Sequence, residues 1–585
     1  MTAAVNSGAR GGGGLSKRFA IWLAGPIIVA FAAPLARAQT AAPITVVPPS
    51  LAPAPAERAA PPDIPLSAPL EAPQGSGGLE VTPSGVAIDG GFAELAGQTA
   101  AIVGPLEGRR DTLTQIYAAA SEIQAAYARA GYVLARVSVP PQDLRDGAPI
   151  RFAVIDGFVE RIDVSHLPQR IQRPLKARLG HLVNLRHLRL PTIEQALALA
   201  ADLPGVTLRS TLSRGEQPGG TVLEIDGRHA LASGAIGADN AFDPALQTYG
   251  LNAQFALNSA FGRGEQIYAL AVSGYDLSRF LASDARVRVL GGGAIVPFAR
   301  GRLTANLEAT FARTAPEPGA GAPRTIGKLR RLSLRNEYVL ARRRAGRSAV
   351  SLAIEQIDER NDLPDFGVTL SHDRYAVMRL GIAVSRDRPG ISNASASVQL
   401  SQGLGDFIAI SQGEALASGV PFTRVGSGTG FTHLNASARG DFALGHAFDL
   451  ALTASGQASF GQAQFRAEQF SLEGADGLSA YVGGITSVDE GLVARAQLNA
   501  SITKTPLGPG SAILPYAFVS GGFGRLAAPT GPEKARFSAA NAGVGAKILP
   551  GAHLPIIALE YAHGFSGYAR LDGVDRINAS ISLRF

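Results

Sequence analysis

The chain has 585 residues, 17% of them charged and 46% hydrophobic, with 69 glycines and no cysteine. That is long enough for several domains, low in charge for a soluble protein of this size, and without disulfides or thiol chemistry. The formal charge of +7 points first to nucleic acid, but Arg10, Lys17, Arg18 and Arg37 lie in 1–38 with no acid among them, so the remainder carries +3; the only further basic runs, 328–331 and 342–344, read as loop or strand-end charges, and nucleic-acid binding is set aside.

Taken in order, residues 1–38 read as a signal peptide. Lys17 and Arg18 give the positive start, 19–33 is apolar, and Ala36-Arg37-Ala38 before Gln39 is a small-x-small cleavage site. A retained anchor is the alternative, but Pro26 and Pro34 interrupt the run and the cleavage site follows at once. Residues 39–78 are rich in Pro and Ala and predict an extended linker. Beyond Ala38 no stretch of about 18 apolar residues appears, so no transmembrane helix is expected. The remaining way to cross a membrane is a closed barrel, because lipid offers no partners to open sheet edges.

Residues 79–157 predict a small α/β module. Val86 to Ile88 is a short strand and Asp111 the expected N-cap of a helix over 112–130. Its apolar face is Leu113, Ile116, Tyr117, Ala120, Ile123 and Tyr127. Gly131 stops the helix, and strands follow over 132–139 and 150–156, joined by PPQDLRDG. Residues 158–227 repeat the theme: FVERIDVS, a helix over 192–203 stopped by Pro204-Gly205, then VTLRSTL and TVLEID. Two β-α-β-β units of about 70 residues suggest a tandem repeat.

From 228 to 585 helical periodicity fades and strand alternation takes over. Leu303, Ala305, Leu307, Ala309 and Phe311 alternate with Thr304, Asn306, Glu308 and Thr310; Phe448, Leu450, Leu452 and Ala454 alternate with Asp449, Thr453 and Ser455. The last strand alternates Ile577, Ala579, Ile581, Leu583 and Phe585 with polar residues. Such strands fit a barrel with lipid outside and water inside. A soluble β-sandwich or β-helix shows similar alternation, but the leader and the low charge favour the barrel.

Residues 116–164 carry a helix ending in Tyr127, then Gly131, Tyr132, Pro141, Gln142, Asp146, Gly147 and Gly157. This pattern resembles the POTRA region of two-partner-secretion transporters, the haemolysin secretion/activation family (ShlB, FhaC and HecB type). A second likeness lies at 467–481, where Glu468, Gln469, Phe470, Leu472 and Gly474 match the family's stretch before a loop that folds into the barrel lumen. The family's loop tip reads Val-Arg-Gly-Tyr; here Leu478, Ser479, Ala480 and Tyr481 stand there, so the Arg is missing, and Ser520 stands where the family carries a partnering Asp. Losing both members of an ion pair is self-consistent, since an unpaired buried charge is costly.

The resemblance implies two periplasmic POTRA domains and an outer-membrane barrel of about sixteen antiparallel strands. It implies a transporter, not an enzyme, that takes a secreted exoprotein client, β-helical in type, through the barrel without ATP. An insertase acting on other barrels, a passive porin-like channel and an adhesin are the alternatives. No HExxH, CxxC or clean GxSxG occurs, and Asp143, Asp146 and Asp156 read as solvated turn carboxylates; no catalytic residue, cofactor or metal is expected. Partner binding is expected on the strand 132–139 and its turn, at Tyr132, Leu134, Arg136, Val137 and Gln142, by addition of a client strand. The lumen-loop residues are Glu468, Gln469, Phe470, Leu478, Ser479 and Tyr481. Phe585 is expected to be the signal read by the barrel-assembly machinery, and outer-membrane lipid the remaining partner.

Overall fold

The computed structural model describes residues 72–73 and 78–585, apart from 283, 485, 503–509, 532, 552–553 and 569–570. The expected signal peptide and nearly all of the expected linker lie outside the described residues.

In the first module β1 (Glu80–Val81) pairs with β3 (Asp111–Thr112). The strands β2 (Val86–Asp89), β4 (Arg136–Ser138) and β5 (Ile150–Ile155) form a sheet in the order β2-β5-β4, with β2 parallel to β5. Two helices, α1 (Ala96–Val103) and α2 (Leu113–Arg129), share its core. The cap of α2 is Thr112, not Asp111. Thr112 Oγ1 accepts from the Gln115 amide at 3.3 Å while the Gln115 side chain accepts from the Thr112 amide at 2.6 Å, a reciprocal arrangement that satisfies two otherwise orphaned donors. Asp111 is instead buried in β3 and ion-paired to Arg109 at 2.6 Å. The strand expected over 132–139 shrinks to Arg136–Ser138. The amide of Tyr132 bonds back to the Tyr127 carbonyl at 2.9 Å and that of Ala135 to Tyr132 at 3.1 Å, so these groups are spent in a turn.

The second module holds β6 (Phe158–Asp163), α3 (Gln169–Leu179), α4 (Leu190–Ala201), β7 (Val206–Arg214) and β8 (Gly220–His229), with sheet order β6-β8-β7 and β6 parallel to β8. This repeats the connectivity of the first sheet. Each module carries one helix beyond the expected one. Pro174 inside α3 is the kind of residue that reads as a helix break in sequence. The modules abut at Gly157, where a Cβ would stand 1.9 Å from the Leu134 carbonyl oxygen. With only a hydrogen there, Val133 and Leu134 reach into the second core beside Val159, Ile193 and Leu197.

Sixteen antiparallel strands close into a barrel, from Ala232–Asp239 to Asp575–Arg584. These two pair with each other, Ser580 opposite Asp239 through Arg584 opposite Ala235. The alternation is realised side by side: on Leu303–Thr314, Leu307 and Phe311 face out, while Asn306, Glu308 and Thr310 are buried toward the lumen. Phe585 exchanges both main-chain hydrogen bonds with Gly234, and its ring lies over that glycine. The second module is fixed to the barrel by Asp202, which Arg342 grips with Nε and Nη2, both at 2.9 Å. Arg178 of α3 is buried where Gly301 leaves room for it. Burial pulls its guanidinium down to about 10, with the Asp202 charge acting the other way. The barrel turns on this side define the module end; the opposite rim is the far end.

Candidate functional site

The segment 459–489 joins the strands Phe448–Ala458 and Glu490–Ala500 and crosses the lumen instead of leaving it. Its stem is held by charge. Glu468 is buried and takes Arg379 twice, Nη2 at 2.8 Å and Nη1 at 3.0 Å, with Tyr375 Oη donating at 3.0 Å and His433 Nε2 lying 3.6 Å away. Arg379 also meets Glu355 of the wall at 2.9 Å. Charges at this depth persist only when paired and hydrogen-bonded, and here every one is. Gln469 donates to the fully buried Asp489 at 3.2 Å, which also accepts from the amides of Gln464 (3.1 Å) and Ala527 (2.8 Å). Phe470 pairs in a two-residue ladder with Val488, which closes the stem.

The tip is held without charge of its own. Strand register places Arg495 opposite Ser520, Ser520 opposite Asn541, and Asn541 opposite Gly564. The inward side chains of this row receive the tip. The Asn541 amide nitrogen donates to Ser520 Oγ, and its oxygen accepts from the amides of Ser479 at 3.0 Å and Ala480 at 3.1 Å. Ser520 Oγ donates to the Gly477 carbonyl at 2.8 Å. Asn578 and Arg576 donate to the carbonyls of Ser479 (3.0 Å) and Tyr481 (3.1 Å). Leu478 is fully buried, and Tyr481 lies against Gly564, where a Cβ would stand 2.8 Å from its hydroxyl. The cation absent from the tip is present in the wall: Arg495 pairs with Glu560 at 2.7 Å, lies 3.6 Å over the Phe518 ring, and reaches Ser479 Oγ at 3.4 Å. The two serines noted in the sequence are thus brought together, joined through Asn541, a residue that sequence reasoning missed.

In the front module, Tyr132, Leu134 and Val137 are buried core side chains, which corrects their expected role as partner contacts. Arg136 is exposed. Gln142 is committed to β5, its amide exchanging hydrogen bonds with the Arg151 backbone at 2.8 and 2.9 Å. β4 is an edge strand, but the Val137 amide already donates to the Gln124 side chain at 3.2 Å. Side-chain sealing of this kind blunts an edge. Tyr132 instead joins the two modules. Its hydroxyl accepts from Arg189 Nη2 at 2.8 Å and donates to Glu94. The Tyr132 hydroxyl holds the Glu94 carboxyl below the usual carboxylate range. The Leu190 amide donates to the Gly131 carbonyl at 2.7 Å, and the Phe92 and His187 rings meet edge to face at 4.2 Å.

Among the described residues no group of three or more His, Asp or Glu side chains is arranged to hold a metal, and no helix is long and apolar enough to cross a membrane.

Residues 81–157 match the ShlB-type POTRA domain family, and residues 219–548 match the haemolysin secretion/activation protein family ShlB/FhaC/HecB. The outer membrane transporter CdiB of Escherichia coli is 26% identical over 231 residues, a match spanning 38% of this chain and 38% of the relative's length. Among solved structures, CdiB from Escherichia coli superposes with a TM-score of 0.67 at 19% identity, covering 88% of this chain and 92% of that one. CdiB from Acinetobacter baumannii does so with a TM-score of 0.59 at 13% identity, covering 87% and 90%. At these identities the superpositions speak for the fold alone.

Proposed function

Because this chain belongs to the haemolysin secretion/activation protein family, we propose that it is an outer-membrane transporter that takes an unfolded exoprotein from the periplasm and passes it through its lumen to the cell surface. The observation that carries this reading is the lumen loop, anchored at its stem by a buried ion cluster and held at its tip by polar contacts that can be exchanged one for another, below which two POTRA-like modules are fixed to the barrel by the Asp202–Arg342 pair. A passive channel has no use for such modules. Passage needs no ATP, because a client that folds outside cannot slip back. A β-helical client suits this, since it folds progressively from the end that emerges first.

Client capture is assigned to strand addition at a module edge, which uses main-chain hydrogen bonds and tolerates varied sequence. With the Val137 amide engaged by Gln124, β4 offers little more than Arg136 beside it. The nine-residue edge strand β7 of the second module is the better-sized acceptor. Phe585, an exposed aromatic locked to Gly234 at the barrel seam, is proposed as the feature that the barrel-assembly machinery reads.

The test is co-expression of the full chain with a candidate secreted β-helical exoprotein. Export to the medium is expected, and deletion of 79–227 is expected to abolish it while the barrel remains heat-modifiable on gels. Normal export without those residues would overturn the capture mechanism and favour a channel.

A further inference from the structure

The outward face of the barrel carries a feature that neither the loop nor the modules use. On the strands Val287–Phe298, Leu303–Thr314, Ile326–Arg343, Gly346–Leu363 and Val368–Arg386 the outward positions form an apolar band, whose upper edge is Leu290, Phe311, Leu332, Ile354 and Met378, all exposed. Toward the far end the outward positions turn basic. Arg288 lies opposite Arg313, Arg313 opposite Lys328, and Lys328 opposite Arg360. Four cations therefore stand in one unbroken row across four strands. In the row below, Arg330 sits between Phe311 and Asp358, with Arg374 on the other side of Asp358.

Like charges directly opposite each other in an antiparallel pair are destabilising, and here three such pairs follow in succession. Three carboxylates on these strands and the loop before the first of them face the belt, and a fourth, Glu414 of the short helix Gln412–Ser418, acts on Arg374. Asp362 takes Lys328 at 3.0 Å and Arg360 at 2.7 Å, Asp358 takes His372 at 3.2 Å, and Asp284 is paired to Arg279 at 2.6 Å. Arg288 and Arg313 donate to the carbonyls of Phe280 (3.3 Å) and Ala285 (2.9 Å), and among the described residues neither has a carboxylate within ion-pair distance. Six cations thus meet four carboxylates, with Asp358, Asp284 and Glu414 also serving other partners. Along their strands the cations stand two to six residues beyond the band, from Arg288 next to Leu290 to Arg360 beyond Ile354, roughly 7–20 Å of tilted strand. At that height a side chain pointing outward leaves the acyl chains and enters the headgroups. Guanidinium groups bind phosphate oxygens through paired, charge-assisted hydrogen bonds, and a row of them suits a lipid with more than one phosphate.

We propose that this belt is a binding site for the phosphate groups of lipid headgroups in the leaflet that faces away from the modules. The proposal rests on the barrel spanning the outer membrane and goes beyond the transport reading, because it assigns a site to the outer wall. The test uses the full chain purified in detergent and bis-phosphorylated lipid A as the probe, with bound lipid per chain counted by native mass spectrometry. Arg313→Gln/Lys328→Gln/Arg330→Gln is expected to retain about tenfold less lipid than the unaltered chain, as the loss of several charge-assisted contacts requires. Arg343→Gln/Arg386→Gln, exposed cations at the module end, is expected to retain as much. Arg313→Lys/Arg330→Lys should largely keep binding, and dephosphorylated lipid should not be retained. Equal retention by the triple variant, equal retention of the dephosphorylated lipid, or displacement by millimolar inorganic phosphate would each overturn the site. So would a dimer that the triple variant dissociates while its lipid content stays unchanged, since the belt would then hold a second copy. Heat-modifiability of every variant checks the barrel separately, so that a failed barrel and a failed lipid site give different results.

Discussion

The lumen loop is held at two places by opposite means. At its stem, Glu468 and Arg379 form a buried, charged, hydrogen-bonded cluster with Glu355 and Tyr375, beside which His433 lies at 3.6 Å. At its tip, Ser479 and Ser520 meet through the neutral Asn541, Arg576 donates only to a main-chain carbonyl, and Arg495 is satisfied by Glu560 in the wall. The difference is one of cooperativity. A buried ion cluster does not loosen by degrees, because opening it strands a charge. A chain of neutral hydrogen bonds, each worth about 1 kcal/mol net, can be exchanged singly for water or for a passing backbone. The stem therefore acts as the fixed point and the tip as the part that lets go.

The largest expected effect comes from attacking the stem. Arg379→Leu leaves Glu468 and Glu355 buried without their main cation and is expected to cost about 3–5 kcal/mol. It should appear as a lower heat-modification temperature together with raised pore conductance in planar bilayers; unchanged conductance would mean that the loop is not held by this cluster. Asn541→Ala should cost less, on the order of 1–3 kcal/mol for partners left unsatisfied. It should raise conductance without lowering the temperature at which the barrel unfolds, which separates tip from stem. Ser520→Asp sharpens the contrast further. A carboxylate opposite Arg495 is expected to be tolerated and to lower conductance, whereas Ser479→Arg alone, set against Arg495, should raise it.

Smaller still is the module latch. Tyr132→Phe removes the hydroxyl that joins Glu94 to Arg189 and is expected to cost about 0.5–1.5 kcal/mol, read as faster proteolysis between the modules with the barrel unaffected. The same latch gives a pH dependence. The folded-state carboxyl of Glu94 lies below its ordinary value of 4.5. Its contribution is present above that value and lost as pH falls through the depressed one. Inter-module protection should therefore decline only in acid, and Tyr132→Phe should flatten the decline.

The barrel was legible because a period of two survives in any strand whose faces meet lipid and water; Leu303 to Phe311 show it without help. The first helix face and the Glu468-Gln469-Phe470 stretch were legible as local patterns. What holds the loop was not, because Arg379 lies 89 residues from Glu468 and Asn541 lies 62 from Ser479, and only closure of the sheet makes them neighbours. Tyr132 misled for the same reason. Glu94 and Arg189 are 38 and 57 residues away, so a residue that joins two modules looked like one that waits for a partner. The charges at 328–331 do lie near a strand end, but the rows they complete draw on four other strands.

The wall of the barrel is also uneven. Val368–Arg386 runs for 19 residues and Ala232–Asp239, at the seam, for 8. At about 3.3 Å per residue these are roughly 60 Å and 26 Å of strand, against the 9–11 residues a bilayer ordinarily asks for. One flank overshoots the hydrocarbon and the other scarcely reaches across it. Such a mismatch is accommodated by tilt or by local compression of the lipid. The bilayer is therefore most strained, and most easily breached, along the line where the first and last strands meet.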